Sequence, residues 1–211
     1  IWESGLDTVK NEVRRIIDEI HLAQEEQGPE AKVTIRDHYV FTGNPGTGKT
    51  TVSRKFAEIL AAVGALPKGQ FIEMDASKLI GQYMGDTEKN VRDAVDRAMG
   101  GILFIDEAYG LANGQYGQDA INTLVPLLEN HKGEFVCIVA GYKREMNDFM
   151  NSNTGLASRF NKPIDFPDYK PEELEKIFLL NADKAGFALT DDAKEKLHIP
   201  MERMYNRRTE Q

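Results

Sequence analysis

The chain has little cysteine and no long apolar run. Its 211 residues include one cysteine, so no disulfide can form within the chain. Cys137 lies inside the apolar run of residues 135–140, which favours a buried strand residue over a reactive thiol. No run approaches the roughly 18 apolar residues that cross a bilayer, and no signal peptide opens the chain. We therefore expect a cytoplasmic protein without a membrane partner.

Positive charge is also scarce, since 34 acidic residues outnumber 26 basic ones and the net charge is −8. This balance argues against a chain whose main role is to coat nucleic acid, because such chains carry basic surfaces. The sequence has no internal repeat and no low-complexity tract, and its histidines lack the spacing of metal ligands. They are His21, His38, His131 and His198. We expect them to be structural or surface residues.

A glycine-rich segment, G-N-P-G-T-G-K-T at residues 43–50, fits the phosphate-binding pattern G-x-x-x-x-G-K-[ST] at every fixed position. Its glycines let backbone N–H groups approach a triphosphate, and a following helix would present its positive end to the same anion. Lys49 would contact the β and γ phosphates, and the Thr50 hydroxyl would bind Mg²⁺. The predicted nucleotide contacts are Asn44, Pro45, Gly46, Thr47, Gly48, Lys49, Thr50 and Thr51.

The flanks of this segment supply the required order of strand, loop and helix. Residues 38–42 form a short apolar run that is typical of a buried strand. After the loop, Val52, Phe56 and Leu60 recur at helical spacing. We therefore favour a nucleotide site over a glycine-rich turn that matches the pattern by chance.

Two adjacent carboxylates follow another apolar run. Residues 101–105 indicate a strand covered on both faces, and Asp106 and Glu107 come directly after it. Ligands gather at the carboxyl ends of strands in open parallel sheets, so both acids are expected beside the glycine loop. Asp106 would hold Mg²⁺, directly or through water, and Glu107 would polarise the attacking water. The alternative is a solvated acidic turn after a core strand.

The remaining sequence alternates between predicted helices and strands until Lys170, after which it is helical. The predicted elements are an amphipathic helix within residues 1–25, a strand at 70–74, a helix at 86–99, a helix at 117–129, and strands at 135–140 and 163–166. Pro126 should kink the helix at 117–129 or cut it short. Pro171 suits the start of a helix that Gly186 ends, and Thr190 suits the cap of another. We predict an α/β nucleotide-binding core over 1–169 and a helical lid over 170–211.

The order of these motifs resembles that of an AAA+ ATPase module, in the branch that includes the red-type Rubisco activase CbbX, SpoVK and EccA. The similarity runs from Gly5 to Thr209 and is carried by residues 43–51, 79–85, 100–109, 140–142, 158–160 and 164–169. The resemblance implies a P-loop core, with a parallel sheet sandwiched by helices, and a small helical lid. It also implies hydrolysis of ATP with Mg²⁺, a homo-oligomeric ring, expected to be a hexamer, and a protein client that is remodelled or threaded.

Two further residue roles are implied by the resemblance. Arg159 matches the arginine finger, which reaches into a neighbouring subunit's site and offsets charge on the γ-phosphoryl group. The alternative for Arg159 is an ordinary surface charge. Tyr83, followed by Met84, matches the aromatic pore loop that grips an extended polypeptide in ring-shaped members. The alternative for Tyr83 is local core packing, although the flanking glycines favour an exposed loop.

The sequence departs from the family pattern at two points. Many members end the strand after the Asp-Glu pair at a polar sensor, often Asn, and Tyr142 or another residue takes that place here. We include Tyr142 among the expected nucleotide contacts. Relatives also continue past a sequence like residues 207–209 into a Gly/Asn-Ala-Arg helix whose arginine contacts the nucleotide. This chain stops first, so we expect its second sensor to lie beyond Gln211.

Two other functions remain open at this point. One is a nucleic-acid motor or clamp-loader-like ATPase, against which the net charge of −8 and an aromatic rather than basic pore loop argue. The other is a scaffold that binds ATP and scarcely hydrolyses it. The presence of Lys49, Asp106, Glu107 and Arg159 argues against that scaffold. The identity of the client does not follow from the fold.

Overall fold

Five parallel strands form one sheet in the order β2-β3-β4-β1-β5. The strands are β1 (Tyr39–Thr42), β2 (Phe71–Asp75), β3 (Ile102–Asp106), β4 (Val136–Gly141) and β5 (Lys162–Asp165). Side chains of the three central strands, β3, β4 and β1, are buried almost throughout, as continuous apolar runs predict for a parallel sheet covered on both faces. The predicted α/β class with a parallel sheet is confirmed.

The structure is a computed structural model that describes residues 7–28 and 33–209. Its helices are α1 (Asp7–Gln27), α2 (Lys49–Ala62), α3 (Ala76–Leu79), α4 (Asp86–Ala98), α5 (Gly114–Asn130), α6 (Lys143–Asn151), α7 (Thr154–Arg159), α8 (Pro171–Lys184), α9 (Asp191–Lys196) and α10 (His198–Thr209), with a 3₁₀ helix at Ala108–Ala112. Residues 1–6 of the predicted first helix lie outside the described residues. No helix in the described ranges is long and apolar enough to span a membrane.

Of the described residues, those between 11 and 166 form one compact unit, and those at 167–209 form a second together with residues 7–10. In the first unit, apolar side chains of β3 and β4 pack in one cluster with those of α4 and α5, including Leu103, Val139, Val91 and Leu124. Each such burial contributes about 1.5–3 kcal/mol to the free energy of folding. The core therefore fixes the strands whose carboxyl ends carry the predicted site.

Cys137 lies in the middle of β4 and is fully buried. Burial raises the pKa of its thiol, because the thiolate would lose its hydration. The expectation of a buried strand residue is confirmed.

Pro126 does not cut α5 short, since the helix continues to Asn130. Of the two outcomes expected for Pro126, the shortened helix is therefore wrong, and the kink stays a prediction. A proline inside a helix costs about 3 kcal/mol. Ile121, Leu124 and Leu128 are buried on both sides of it, and their burial outweighs that cost at about 1.5–3 kcal/mol each.

Hydrophobic periodicity missed four helices: α3, α6, α7 and α10. Two of them begin at side-chain caps that the sequence displays. The Asp75 carboxylate accepts a hydrogen bond from the Ser77 amide at 2.8 Å, and the Asn153 side chain accepts one from the Gly155 amide at 2.8 Å. Such caps hold short helices that apolar spacing does not reveal.

The second unit contains helices α8, α9 and α10. Pro171 begins α8, Gly186 follows its end with φ of +78°, and the Thr190 hydroxyl accepts a hydrogen bond from the Ala193 amide at 3.3 Å. These three predicted helix signals are confirmed. The division into a core over 1–169 and a lid over 170–211 stays a prediction.

Candidate nucleotide-binding site

A cavity of about 260 Å³ lies where β1, β3 and β4 end. Because β4 lies between β1 and β3 in the sheet, the end of β4 meets both the glycine loop and the acidic pair. The lining residues are Gly43, Pro45, Gly46, Gly48, Lys49, Thr50, Thr51, Asp106, Glu107, Tyr109, Gly141 and Tyr142. The sheet topology thus brings together motifs that are more than one helix apart in sequence.

The glycine loop is fixed at its start and at its end. The Gly43 amide donates a hydrogen bond to the Gly141 carbonyl at 3.1 Å, and a Cβ at Gly43 would lie 2.4 Å from the Phe166 carbonyl oxygen. At the other end, Gly48 precedes α2 in the left-handed conformation, with φ of +92°. A glycine suits both positions, since it has no Cβ to clash and adopts positive φ freely.

Lys49 opens α2 and its ammonium lies inside the loop. The Lys49 Nζ donates to the carbonyl oxygens of Gly43 at 2.7 Å and Asn44 at 3.0 Å. Thr47 is fully buried, and its hydroxyl donates to the Asn44 carbonyl at 2.8 Å. Asn44 and Thr47 were predicted as nucleotide contacts, but neither is among the residues that line the cavity. The buried Thr47 side chain stabilises the conformation of the loop through this hydrogen bond.

Asp106 ends β3, and Glu107 follows it with a left-handed backbone, φ 49° and ψ 41°. Glu107 is the one non-glycine residue with positive φ in the part of the chain that the structure describes. Such a conformation costs on the order of 1–3 kcal/mol and persists only where the surrounding structure holds it. The Glu107 amide donates to the Asp106 carboxylate at 3.0 Å. Both acids line the cavity, with the Glu107 side chain exposed to it.

Tyr109 also lines the cavity, and the sequence motifs did not identify it. It lies in the 3₁₀ helix after Glu107, with its ring against Gly141 and its centroid 6.0 Å from that of Tyr142. Burial, followed by the Glu107 carboxylate, raises the pKa of the Tyr109 hydroxyl to about 12. The signal in the sequence was a hydroxyl-bearing side chain two residues after Glu107. Tyr142, predicted as a contact, lines the same cavity.

The residues present fit a nucleoside triphosphate with Mg²⁺. The first turn of α2, residues 49–52, contains no acidic residue, so its positive end is open to an anion. The Thr50 hydroxyl and the Asp106 carboxylate line the cavity, and both are oxygen donors of the kind that Mg²⁺ prefers.

Arg159 does not lie at this cavity. It ends α7, and it lines a second cavity of about 410 Å³ near the starts of β1 and β5, the opposite edge of the sheet. The two edges are separated by the four residues of β1, a span of roughly 13 Å at the usual rise per strand residue. The structure therefore does not bring Arg159 together with the other predicted catalytic residues of its own chain.

Tyr83 and Met84 lie between α3 and α4 and are 73% and 94% exposed. Two hydrogen bonds join this loop to the first residues of α4. The Tyr83 amide donates to the Asp86 carboxylate at 3.1 Å, and the Gly81 amide donates to the Thr87 hydroxyl at 2.9 Å. A large aromatic ring held in solvent is not a core residue. Local core packing, the alternative considered for Tyr83, is therefore wrong within this chain.

The sequence was compared with known families and proteins. The sequence model of the family described as "ATPase family associated with various cellular activities (AAA)" matches residues 39–168. The chain is 41% identical over 197 residues to "Stage V sporulation protein K" of Bacillus subtilis, covering 92% of this chain and 61% of that protein. It is 40% identical over 196 residues to "Protein CfxQ" of Xanthobacter flavus, covering 90% and 62%.

Another relative is "ESX-3 secretion system protein EccA3" of Mycolicibacterium smegmatis, 40% identical over 206 residues, which cover 95% of this chain and 33% of that protein. The chain thus spans about three fifths of the sporulation and CfxQ proteins and a third of EccA3. Among solved structures, "Crystal structure of FIGL-1 AAA domain in complex with ADP" superposes with a TM-score of 0.64 at 20% identity, covering 94% of this chain and 64% of that one. That superposition supports the fold.

Proposed function

Because the chain belongs to the ATPase family associated with various cellular activities (AAA), in the branch of SpoVK-, CfxQ- and EccA-type proteins, we propose that it hydrolyses ATP to ADP and phosphate. One observation carries the proposal: Lys49, Thr50, Asp106 and Glu107 line a single cavity at the carboxyl edge of the sheet. These groups are the ones that phosphoryl transfer to water requires, namely a phosphate cradle, metal ligands and a group that activates water.

Each residue has a defined task in this proposal. Backbone N–H groups of residues 46–50 and the Lys49 ammonium hold the phosphates, while Thr50 and Asp106 would hold Mg²⁺. Bound Mg²⁺ supplies positive charge that neutralises the phosphate oxygens. Glu107 accepts a hydrogen bond from the attacking water and orients it. Its fixed backbone conformation keeps the carboxylate at the cavity in advance, so little reorganisation is needed.

Among the described residues that line the cavity, Lys49 of the loop is the one cation that could offset charge developing on the transferred phosphoryl group. Arg159 lies at the opposite edge of the sheet in the same chain, so it would have to come from a neighbouring copy. An arginine supplied in this way raises kcat by about 10³–10⁵ in related chemistry. We therefore include a homo-oligomeric ring, a hexamer, in the proposal, with each ATP site completed by the next subunit.

We further propose that the ring acts on a polypeptide client in the cytoplasm. One relative is named "Ribulose bisphosphate carboxylase/oxygenase activase, chloroplastic", which describes action on another protein, and it is 41% identical over 201 residues. The exposed Tyr83 and Met84 offer an apolar grip for an extended chain. Neither the net charge of −8 nor this apolar loop favours a nucleic-acid motor, and the strained Glu107 at the cavity favours hydrolysis over a nucleotide-gated scaffold.

Mixing two inactive variants tests the shared site. Glu107→Gln subunits lack the water-activating carboxylate but offer Arg159, and Arg159→Ala subunits offer Glu107. A randomly mixed ring contains interfaces at which an intact Glu107 meets an intact Arg159, so we expect about a quarter of the wild-type ATPase rate. Each variant alone should be nearly inactive. A mixture that stays as inactive as its parts would contradict a site completed by the neighbour.

A further inference from the structure

The guanidinium of Arg159 is held on two sides in different ways. On one side, its Nη1 donates to the Ser158 hydroxyl at 2.8 Å and to the Gly155 carbonyl at 3.3 Å, both within α7. On the other side, its buried Nε has no partner within hydrogen-bond distance, and the nearest charge is the Glu129 carboxylate at 3.6 Å. Among the described residues, Glu129 is therefore the charged partner of this guanidinium.

The other carboxylate at this cavity is already engaged. Asp37 accepts a hydrogen bond from Asn161 at 3.2 Å and lies 3.7 Å from the Lys162 ammonium and 3.8 Å from the Arg15 guanidinium. The remaining charged groups that line the cavity, Arg36 and Lys132, are positive and repel Arg159. Among the lining residues, Glu129 is thus the acid that is placed to hold Arg159.

His38 contacts the chain neighbours of both partners of this pair. One ring nitrogen accepts a hydrogen bond from the Cys137 amide at 3.0 Å, and the ring also hydrogen bonds the backbone of Leu128, the residue before Glu129. The same ring lies 5.8 Å, centroid to centroid, from Phe160, the residue after Arg159. His38 is buried directly before β1. Through these contacts it links the end of α5 to the end of α7.

We propose that Glu129 is the positioning residue of Arg159: it holds the guanidinium in the direction in which Arg159 meets the neighbouring subunit's ATP. This inference rests on the proposed sharing of the ATP site. An arginine side chain has many rotamers, and an ion pair that restricts them in advance leaves less entropy to be lost in the transition state. Loss of Glu129 should therefore lower kcat at the neighbour's site and leave KM for ATP nearly unchanged.

Mixed rings of Glu107→Gln and Arg159→Ala subunits test where Glu129 acts. In these rings the Glu107→Gln subunits supply every functional Arg159. Glu129→Ala should lower kcat about 10-fold when it is added to the Glu107→Gln subunits, and should leave kcat unchanged when it is added to the Arg159→Ala subunits. Glu129→Gln, which keeps the shape and removes the charge, should show the same asymmetry.

Glu134→Ala is the matched control, because it removes an exposed acid beyond the end of α5 that pairs with His131 and does not contact Arg159. It should leave kcat unchanged in either subunit. Suppose that the mixture without a Glu129 change is active, and that a Glu129 variant gives the same rate in either kind of subunit. That result would overturn the role of Glu129 and leave the shared site standing. An inactive reference mixture would overturn the shared site and this inference with it. If Glu129→Ala lowers stability in urea unfolding, the comparison rests on Glu129→Gln.

Discussion

The ring of Tyr109 packs so closely on Gly141 that a Cβ at residue 141 would lie 2.8 Å from two of its ring carbons. Gly141 ends β4, the strand between those that carry the glycine loop and the acidic pair. A glycine there lets a tyrosine ring occupy the space beside Glu107. Two tyrosines, Tyr109 and Tyr142, therefore line the cavity beside the end of β4.

Tyr109→Phe should lower kcat for ATP hydrolysis about 10-fold with little change in ATP affinity. The variant keeps the ring that packs on Gly141 and removes the hydroxyl of the half-buried Tyr109, whose pKa the Glu107 carboxylate helps to raise. A hydrogen bond that this hydroxyl makes in the transition state would be lost. Steady-state kinetics together with ATP binding separate the two effects. Tyr116→Phe, on α5 and outside the cavity, serves as control, and Tyr142→Phe tests the second hydroxyl. An unchanged kcat for Tyr109→Phe would show that the Tyr109 hydroxyl takes no part in hydrolysis.

Lys49→Ala should weaken ATP binding by about 10- to 100-fold, since hydrogen bonds to a charged group contribute about 1.5–3 kcal/mol. The Lys49 ammonium lies within the loop, where the phosphates are expected. Titration with a fluorescent ATP analogue measures the affinity. Lys55→Ala on the same helix, where the exposed lysine pairs with Glu58, should bind like the wild type. Equal affinities for the two variants would place the phosphates elsewhere.

His38 should make the free energy of unfolding fall as the pH falls from about 6.5 to about 4. Burial lowers the pKa of His38 from 6.5 to about 4, so in this window the unfolded chain binds a proton that the native chain excludes. The free energy of unfolding therefore rises with pH across the window, by roughly 3 kcal/mol at most, and is independent of this group above it.

Urea unfolding at several pH values checks this prediction. His38→Gln removes the titrating group and should flatten the dependence between about pH 4 and pH 6.5. His21→Gln, an exposed histidine on α1, should keep the wild-type slope. The same slope in both variants would mean that other groups cause it.

In the second unit, His198 on α10 lies with its Nδ1 2.6 Å from Glu175 on α8 and its Nε2 3.1 Å from Glu202. The hydrogen bond with Glu175, aided by Glu202, raises the pKa of His198. The stabilisation is therefore present below the unfolded pKa and is lost as the pH rises through the raised value. Glu175→Gln should lower the His198 pKa in an NMR titration, while Glu195→Gln should not. An unchanged midpoint in Glu175→Gln would contradict the pairing.

Motifs predicted the parts of the site that lie next to one another in sequence. Residues 43–50 and 106–107 carry their chemistry in short patterns, and apolar runs located the central strands around them. The motifs did not predict Tyr109 as part of the site, because its place there depends on Gly141, which the sheet brings beside it. The partner of Arg159 was not predicted for the same reason. Glu129 and Arg159 are far apart in sequence and meet where α5 and α7 end. Pro126 alone predicted a shortened helix, but its local free-energy cost is smaller than the stabilisation from the core packing around it.

The ATPase rate per subunit, measured against protein concentration for the wild type and Glu107→Gln, tests the central claim most directly. If each site is completed by a neighbour's Arg159, the wild-type rate per subunit should climb with concentration to a plateau as rings form. Glu107→Gln should show almost no turnover at any concentration while still binding ATP. A wild-type rate per subunit that is independent of concentration down to the monomeric protein would contradict the shared site.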